Sequence, residues 1–201
     1  MLRYAITDGL RFGEATEARF AGLMEDARRW AEAGVDFVQL REKTLQAGEV
    51  LRLAEAMLRV FAEADGTTKL LVNTRADVAI AAGADGVGLT SHAEELEPAQ
   101  VRRLYALRGL KEPVVSVSCH SVSEVVRARE GGATMALFGP VFGKVVRGEA
   151  VQAGVGLEAL REACAAAAAM PVLALGGVTA ENAAACVEAG AAGVAGIRLF
   201  R

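Results

Sequence analysis

Short apolar runs along this chain are separated by longer stretches in which apolar residues recur at helical spacing. In one such stretch Val50, Leu51, Leu53, Ala54, Met57, Leu58 and Phe61 form a broad apolar face, while Glu49, Arg52, Glu55 and Arg59 fall opposite. The same reasoning predicts helices over 16–33, 48–63, 75–83, 98–107, 121–131, 156–169 and 180–189. The apolar runs between them read as buried strands. One phrase repeats: Ala33-Gly34-Val35-Asp36-Phe37-Val38-Gln39-Leu40 is echoed from Ala82, from Gly131 and from Ala189. Each phrase follows a helical stretch, and its glycine stands where the helix must stop and turn into a strand.

These glycines, Gly34, Gly83, Gly132 and Gly190, are 49, 49 and 58 residues apart, a step that suits two strand–helix units rather than one. Midway lie Lys69 to Asn73, Val114 to Ser118 and Val172 to Leu175, and Arg3 to Asp8 opens the chain. Eight short apolar strands alternating with helices predict an α/β chain of parallel βαβ connections, a small (β/α)₈ TIM barrel over 1–201 as a single domain. The last helix is truncated or missing, because Arg201 comes just after the eighth strand. The rival is an open doubly wound sheet; the even two-unit rhythm and the lack of an opening Gly-rich dinucleotide fingerprint favour closure.

Composition narrows the function. With 53% hydrophobic and 23% charged residues the chain is globular, and its net charge of -3 gives no general attraction to nucleic acid or an anionic membrane. Cys119, Cys164 and Cys186 lie too far apart for a disulfide framework or a zinc site. No signal-peptide pattern opens the chain, and the run Ala163 to Ala169 is too short to span a bilayer. A cytoplasmic enzyme is the expected setting, and so small a barrel leaves room for homo-oligomerisation.

In a barrel of this kind chemistry sits where strands run out into loops. Gln39, Arg41, Glu42 and Lys43 leave the second strand, where two cations and an amide suit a carboxylate or phosphate; the alternative is that Glu42 pairs with a cation and merely closes the mouth. Asn73 follows the third strand as either a ligand contact or the cap of the next helix. His92 lies in a polar loop, where a surface role is the default. Ser118, Cys119, His120 and Ser121 end the fifth strand. Ser121 and Glu124 are spaced as a capping box, which leaves His120 free to exchange a proton near neutral pH. Cys119 beside it is a weak nucleophile candidate, since neighbouring strand residues point apart.

The loop after the sixth strand, from Gly139 to Gly156, is the longest irregular stretch, and its Lys144 and Arg147 are candidates for holding a phosphate. Gly176, Gly177, Gly193, Gly196 and Arg198, on and after the last two strands, are candidates for binding phosphate through backbone amides and one guanidinium. No histidine pair or ligand-spaced carboxylate set points to a metal.

At these residues the chain resembles the thiamine phosphate synthase/thiazole tautomerase family. The matching segments are Tyr4 to Asp8, Val38 to Lys43, Leu71-Val72-Asn73, Ser116 to Ser121, Phe138 to Phe142 and Ala174 to Val178. In the synthase branch the resemblance implies Mg²⁺-assisted coupling of hydroxymethylpyrimidine diphosphate to a thiazole phosphate. That branch has an Asp after the strand-three Asn, an Asp in the next loop and a Thr-x-Thr-Lys clamp. Here Thr74, Ala93 and Lys144-Val145-Val146-Arg147 stand in those places. The tautomerase branch resembles this chain in the Ser-x-His-Ser around His120 and in Asn-x-Arg at Asn73 and Arg75. It implies aromatisation of a thiazole carboxylate phosphate by proton transfer, with no cofactor. His120 is then the acid/base, the glycines of the last strands hold the phosphate, and Arg41 and Lys43 meet the carboxylate. A third reading is a catalytically silent member that still binds a thiazole phosphate.

Overall fold

A computed structural model describes residues 1–64, 66–92, 94–146 and 149–201, with 144–146 and 149–152 as backbone alone. Eight parallel strands make the barrel wall: β1 (Leu2–Ile6), β2 (Phe37–Leu40), β3 (Lys69–Asn73), β4 (Gly86–Leu89), β5 (Val114–Cys119), β6 (Met135–Phe138), β9 (Val172–Leu175) and β10 (Gly193–Gly196). Between them run α1 (Thr16–Glu32), α2 (Ala47–Glu63), α3 (Ala76–Ala82), α4 (Pro98–Leu107), α5 (Val122–Glu130), α6 (Gly156–Ala167) and α7 (Ala183–Glu188). A short antiparallel ribbon of β7 (Lys144–Val146) and β8 (Glu149–Gln152) is inserted after β6.

The wall closes where β1 pairs in parallel with β10, from Leu2 opposite Gly193 to Ala5 opposite Gly196, and this pairing removes the open-sheet alternative. Strand alternation sorts the core into two populations. Tyr4, Ile6, Phe37, Leu71, Val114, Met135, Leu137, Leu173 and Ala195 fill the barrel interior. The outward residues, among them Val38, Leu40, Leu70, Val72, Val87, Val115 and Val117, pack under the helices against side chains such as Leu53, Met57 and Tyr105. The glycines of the repeated phrase adopt positive φ (66° at Gly34, 71° at Gly83, 82° at Gly132 and 102° at Gly190), the left-handed turn that carries each helix into its strand without a Cβ penalty.

The expected helices are present with ends shifted by a few residues. The loop read as irregular after the sixth strand instead carries the β7–β8 ribbon, a correction to that expectation. After β10 no further helix follows among the described residues. Residues 197–201 turn back over α1, where Trp30 Nε1 donates to the Phe200 carbonyl (2.8 Å) and the Arg3 guanidinium stacks on the Phe200 ring (5.3 Å). No helix is long and apolar enough to cross a membrane among the described residues.

Candidate active site

The rim at the C-terminal strand ends is organised first by Glu42. Its Oε1 accepts from Thr7 Oγ1 (2.6 Å) and from the Gly9 amide (3.0 Å), while Thr7 Oγ1 in turn accepts from the Arg41 amide (2.9 Å). Glu42 therefore ties the loops after β1 and β2 together and takes neutral donors rather than a neighbouring cation. Burial pushes its carboxyl above the ordinary range, and the Thr7 and Gly9 bonds pull it partly back. With Glu42 turned inward, Arg41 and Lys43 stay in a cleft of about 580 Å³ that is also lined by Asn73, Thr74, Arg75, Thr90, His92 and Glu95. Arg75 lies there with its charge already met by Asp77 (2.6 Å).

Asn73 is not the helix cap. Arg75 holds that place without a side-chain bond, and Asn73 Oδ1 accepts from Gln39 Nε2 (2.7 Å). Gln39 lies just beneath the rim, and its amide fits because position 88 is glycine: a Cβ there would come within 2.5 Å of Gln39 Nε2. Thr74 has φ of 57°, a left-handed backbone that a β-branched residue rarely adopts. Its amide donates to the Gly88 carbonyl (2.8 Å), so β4 holds the turn in place.

Ser116 and Ser118 share one alternating face of β5, and His120 follows the strand directly, at the exposed rim. Its Nδ1 lies 2.5 Å from the Gly139 carbonyl, which only accepts, so Nδ1 carries the hydrogen and Nε2 is the basic nitrogen. The His120 amide donates to Glu124 Oε2 (2.6 Å), and Ser121 Oγ caps α5 by accepting from the Glu124 amide (3.3 Å). Ser121 caps the helix as expected, but Glu124 reaches back to the His120 amide rather than to that of Ser121, so only half of the expected capping box forms, and the imidazole edge is left free. Cys119 points the other way, fully buried, and burial pushes its thiol up to about 12. That excludes it as a thiolate nucleophile near neutral pH.

Gly176 and Gly177 have φ of 90° and 65°. Their missing side chains also let the β9 loop lie against the β6 loop, since a Cβ would meet Pro140 Cα at 2.6 Å and Phe142 Cβ at 2.7 Å. The Val141 and Phe142 amides donate to the Leu175 and Gly176 carbonyls (2.8 and 3.0 Å). Gly196 ends β10 at the rim, followed by exposed Arg198. Gly193 is not with them: it begins β10 opposite Leu2, at the far end of the barrel, where a Cβ would strike the Leu2 carbonyl at 2.1 Å. As a glycine on the last strand it was a phosphate candidate, but strand direction puts it at the floor. The Lys144 side chain, Arg147 and Ala93 lie outside the described residues.

The site's carboxylates fit a magnesium ion poorly. Glu42 is bound to Thr7 and Gly9, Glu95 Oε2 accepts from Thr90 Oγ1 (3.1 Å), and Asp77 pairs with Arg75. Among the described residues no three His, Cys, Asp or Glu side chains converge as a metal-binding group.

Sequence reasoning missed the buried partners of the rim. Tyr4 Oη donates to Gln39 Oε1 (3.1 Å) and lies 2.9 Å from Ser116 Oγ, beneath residues that had been singled out. The signal was present: Ser116 is a serine among valines on a buried strand, and such a hydroxyl needs a partner.

A family model described as thiamine monophosphate synthase matches residues 4–200. A thiamine-phosphate synthase of Methanoculleus marisnigri is 40% identical over 169 residues, 84% of this chain and 75% of that one. A putative thiamine-phosphate synthase 2 of Aquifex aeolicus is 34% identical over 197 residues, 98% of this chain and 96% of that one. Among solved structures, the thiamine phosphate pyrophosphorylase of Pyrococcus furiosus superposes with a TM-score of 0.78 at 26% identity, covering 98% of this chain and 85% of that one.

Proposed function

The chain belongs to the thiamine monophosphate synthase family, and from that premise we propose that its reaction is proton transfer: isomerisation of a thiazole carboxylate phosphate to its aromatic tautomer. The observation that carries this reading is the bond from His120 Nδ1 to the Gly139 carbonyl, which leaves Nε2 as a fixed basic nitrogen at the rim. Nε2 takes the proton from a carbon of the non-aromatic ring. The electron pair enters the conjugated system, and the imidazolium returns the proton to a second carbon, so nothing is gained or lost overall. Arg41 and Lys43 receive the carboxylate. The backbone amides of Gly176 and Gly177, with Gly196 and Arg198, receive the phosphate, and Ser118 lines the path between them.

In the His120→Ala variant the rate of tautomer conversion is expected to fall by about 10² to 10⁴, the usual worth of a general acid–base. An unchanged rate removes the mechanism.

A second reading, coupling of a pyrimidine diphosphate to a thiazole phosphate, is favoured by the names of the relatives, which are synthases. It has against it the poor fit of the rim carboxylates to magnesium, whose charge would offset the departing diphosphate. Thiamine phosphate formed from the two substrates with saturating Mg²⁺ would establish it. Tight binding of a thiazole phosphate without either reaction would mark a silent binder.

A further inference from the structure

We infer that Tyr4, buried beside Ser116 in the barrel below the rim and out of reach of substrate, is a positioning residue that sets which end of the Asn73 amide faces the ligand. Four side chains form a ladder from the interior to the mouth. Ser116 Oγ lies 2.9 Å from Tyr4 Oη, Tyr4 Oη 3.1 Å from Gln39 Oε1, and Gln39 Nε2 2.7 Å from Asn73 Oδ1. Tyr4 and Ser116 are 0% and 1% exposed, so water does not stand in for a lost partner.

The ladder has two polarities on paper. In one, Ser116 donates to Tyr4, Tyr4 to Gln39 Oε1 and Gln39 Nε2 to Asn73 Oδ1, so Asn73 presents its NH₂ to the mouth. In the other, every bond is reversed and both amides are turned over, so Asn73 presents its carbonyl. The reversed ladder leaves the Ser116 hydrogen with nowhere to go, because Tyr4 is its one recorded partner. The forward ladder gives the Ser116 and Tyr4 hydrogens acceptors; the second hydrogen on Gln39 Nε2 has no recorded acceptor in either polarity, so the Ser116 hydrogen decides between them. The Nδ2 hydrogens that remain at the rim have a single long contact, 3.5 Å to Thr74 Oγ1, and are available to an anionic oxygen. Gly88 completes the device, since any side chain there would displace the Gln39 amide.

The part of this inference that concerns substrate rests on the proposed function; the ladder itself does not. Side-chain amide NMR of the ligand-free, ¹⁵N-labelled protein reads the ladder directly. In Tyr4→Phe, which removes the hydrogen held by Gln39 Oε1, the Gln39 and Asn73 NH₂ groups should rotate and exchange at least about tenfold faster than in wild type. In Ser116→Ala the Tyr4 hydrogen has only Gln39 to bond, so both amides should stay as in wild type. Unchanged amides in Tyr4→Phe, or amides loosened in Ser116→Ala, overturn the assignment. Should Tyr4→Phe fail to fold, Gly88→Ala, which crowds the Gln39 amide, must loosen Asn73 in its place. With the thiazole tautomer as substrate, Asn73→Asp should raise KM about tenfold more than Asn73→Ala, because it aims an acceptor at the anion. An equal or smaller effect of Asn73→Asp contradicts the donor polarity. If wild type does not convert the tautomer, the proposed function fails, while the NMR comparison still decides the ladder.

Discussion

Residue by residue, the rim combines groups held by neutral bonds with cations left to a ligand. Glu42 illustrates how burial and bonding oppose one another. Its folded carboxyl titrates above the ordinary range, chiefly through burial, so the folded state keeps a proton that the unfolded state has already released. The stability linked to Glu42 is thus fully present below the unfolded carboxylate range and is lost as pH rises through the folded value. Glu42→Gln keeps the oxygen that accepts from both Thr7 and Gly9. Denaturant titrations from pH 4 to 7 should therefore show the variant gaining on wild type as pH rises; a difference that does not change with pH would refute the assignment. Thr74 is strained by its left-handed backbone, and Thr74→Asn, which tolerates that region, should stabilise the fold by about 0.5–1 kcal/mol. A lower melting temperature would show that the turn is not strained. Cys119 should resist maleimide at pH 7 until the protein is unfolded, and rapid labelling of the native protein would contradict its burial. The sequence made His120, Arg41 and Lys43 visible because unusual residue types stood at strand ends. Tyr4 and Ser116 were hidden because their role depends on a contact across 112 positions of chain.

The elements were legible where a periodic pattern and a stop signal coincided. The 48–63 stretch with its apolar face became α2, and the repeated glycines became the left-handed ends that return helices to strands. Segments without a pattern were not legible. The β7–β8 ribbon has strands of three and four residues with no apolar alternation to betray them. The floor position of Gly193 was missed because it was grouped with the other glycines of the last strands, whereas the end of the barrel a residue occupies depends on where its strand begins. The short segment after β10 is held by the bond between Trp30 and the Phe200 carbonyl. Trp30→Phe should cost about 1 kcal/mol or more in chemical denaturation, since it leaves a carbonyl without its donor. No loss of stability would mean that the segment contributes nothing to closure.

At the scale of the whole molecule, a closed parallel barrel brings residues from eight distant strand ends to one rim, and family membership follows from nearly the full length of the chain. At that rim few acids are left open to a ligand among the described residues. Thr74 stands beside Asn73, Glu42 Oε1 is held by Thr7 and Gly9, Glu95 accepts from Thr90, Asp77 pairs with Arg75 and Asp8 with Arg201. The reaction proposed for this rim is the movement of a proton on a bound anion. The central claim is that His120 Nε2 moves that proton, and isotope exchange in D₂O tests it most directly. His120 is exposed, so the hydrogen on Nε2 exchanges with D₂O before it is returned; with wild type, NMR should show the aromatic thiazole phosphate forming with deuterium at the receiving carbon, and the His120→Ala variant should yield neither the product nor exchange above the uncatalysed rate. Product formation and deuterium incorporation at equal rates in the two proteins would contradict it.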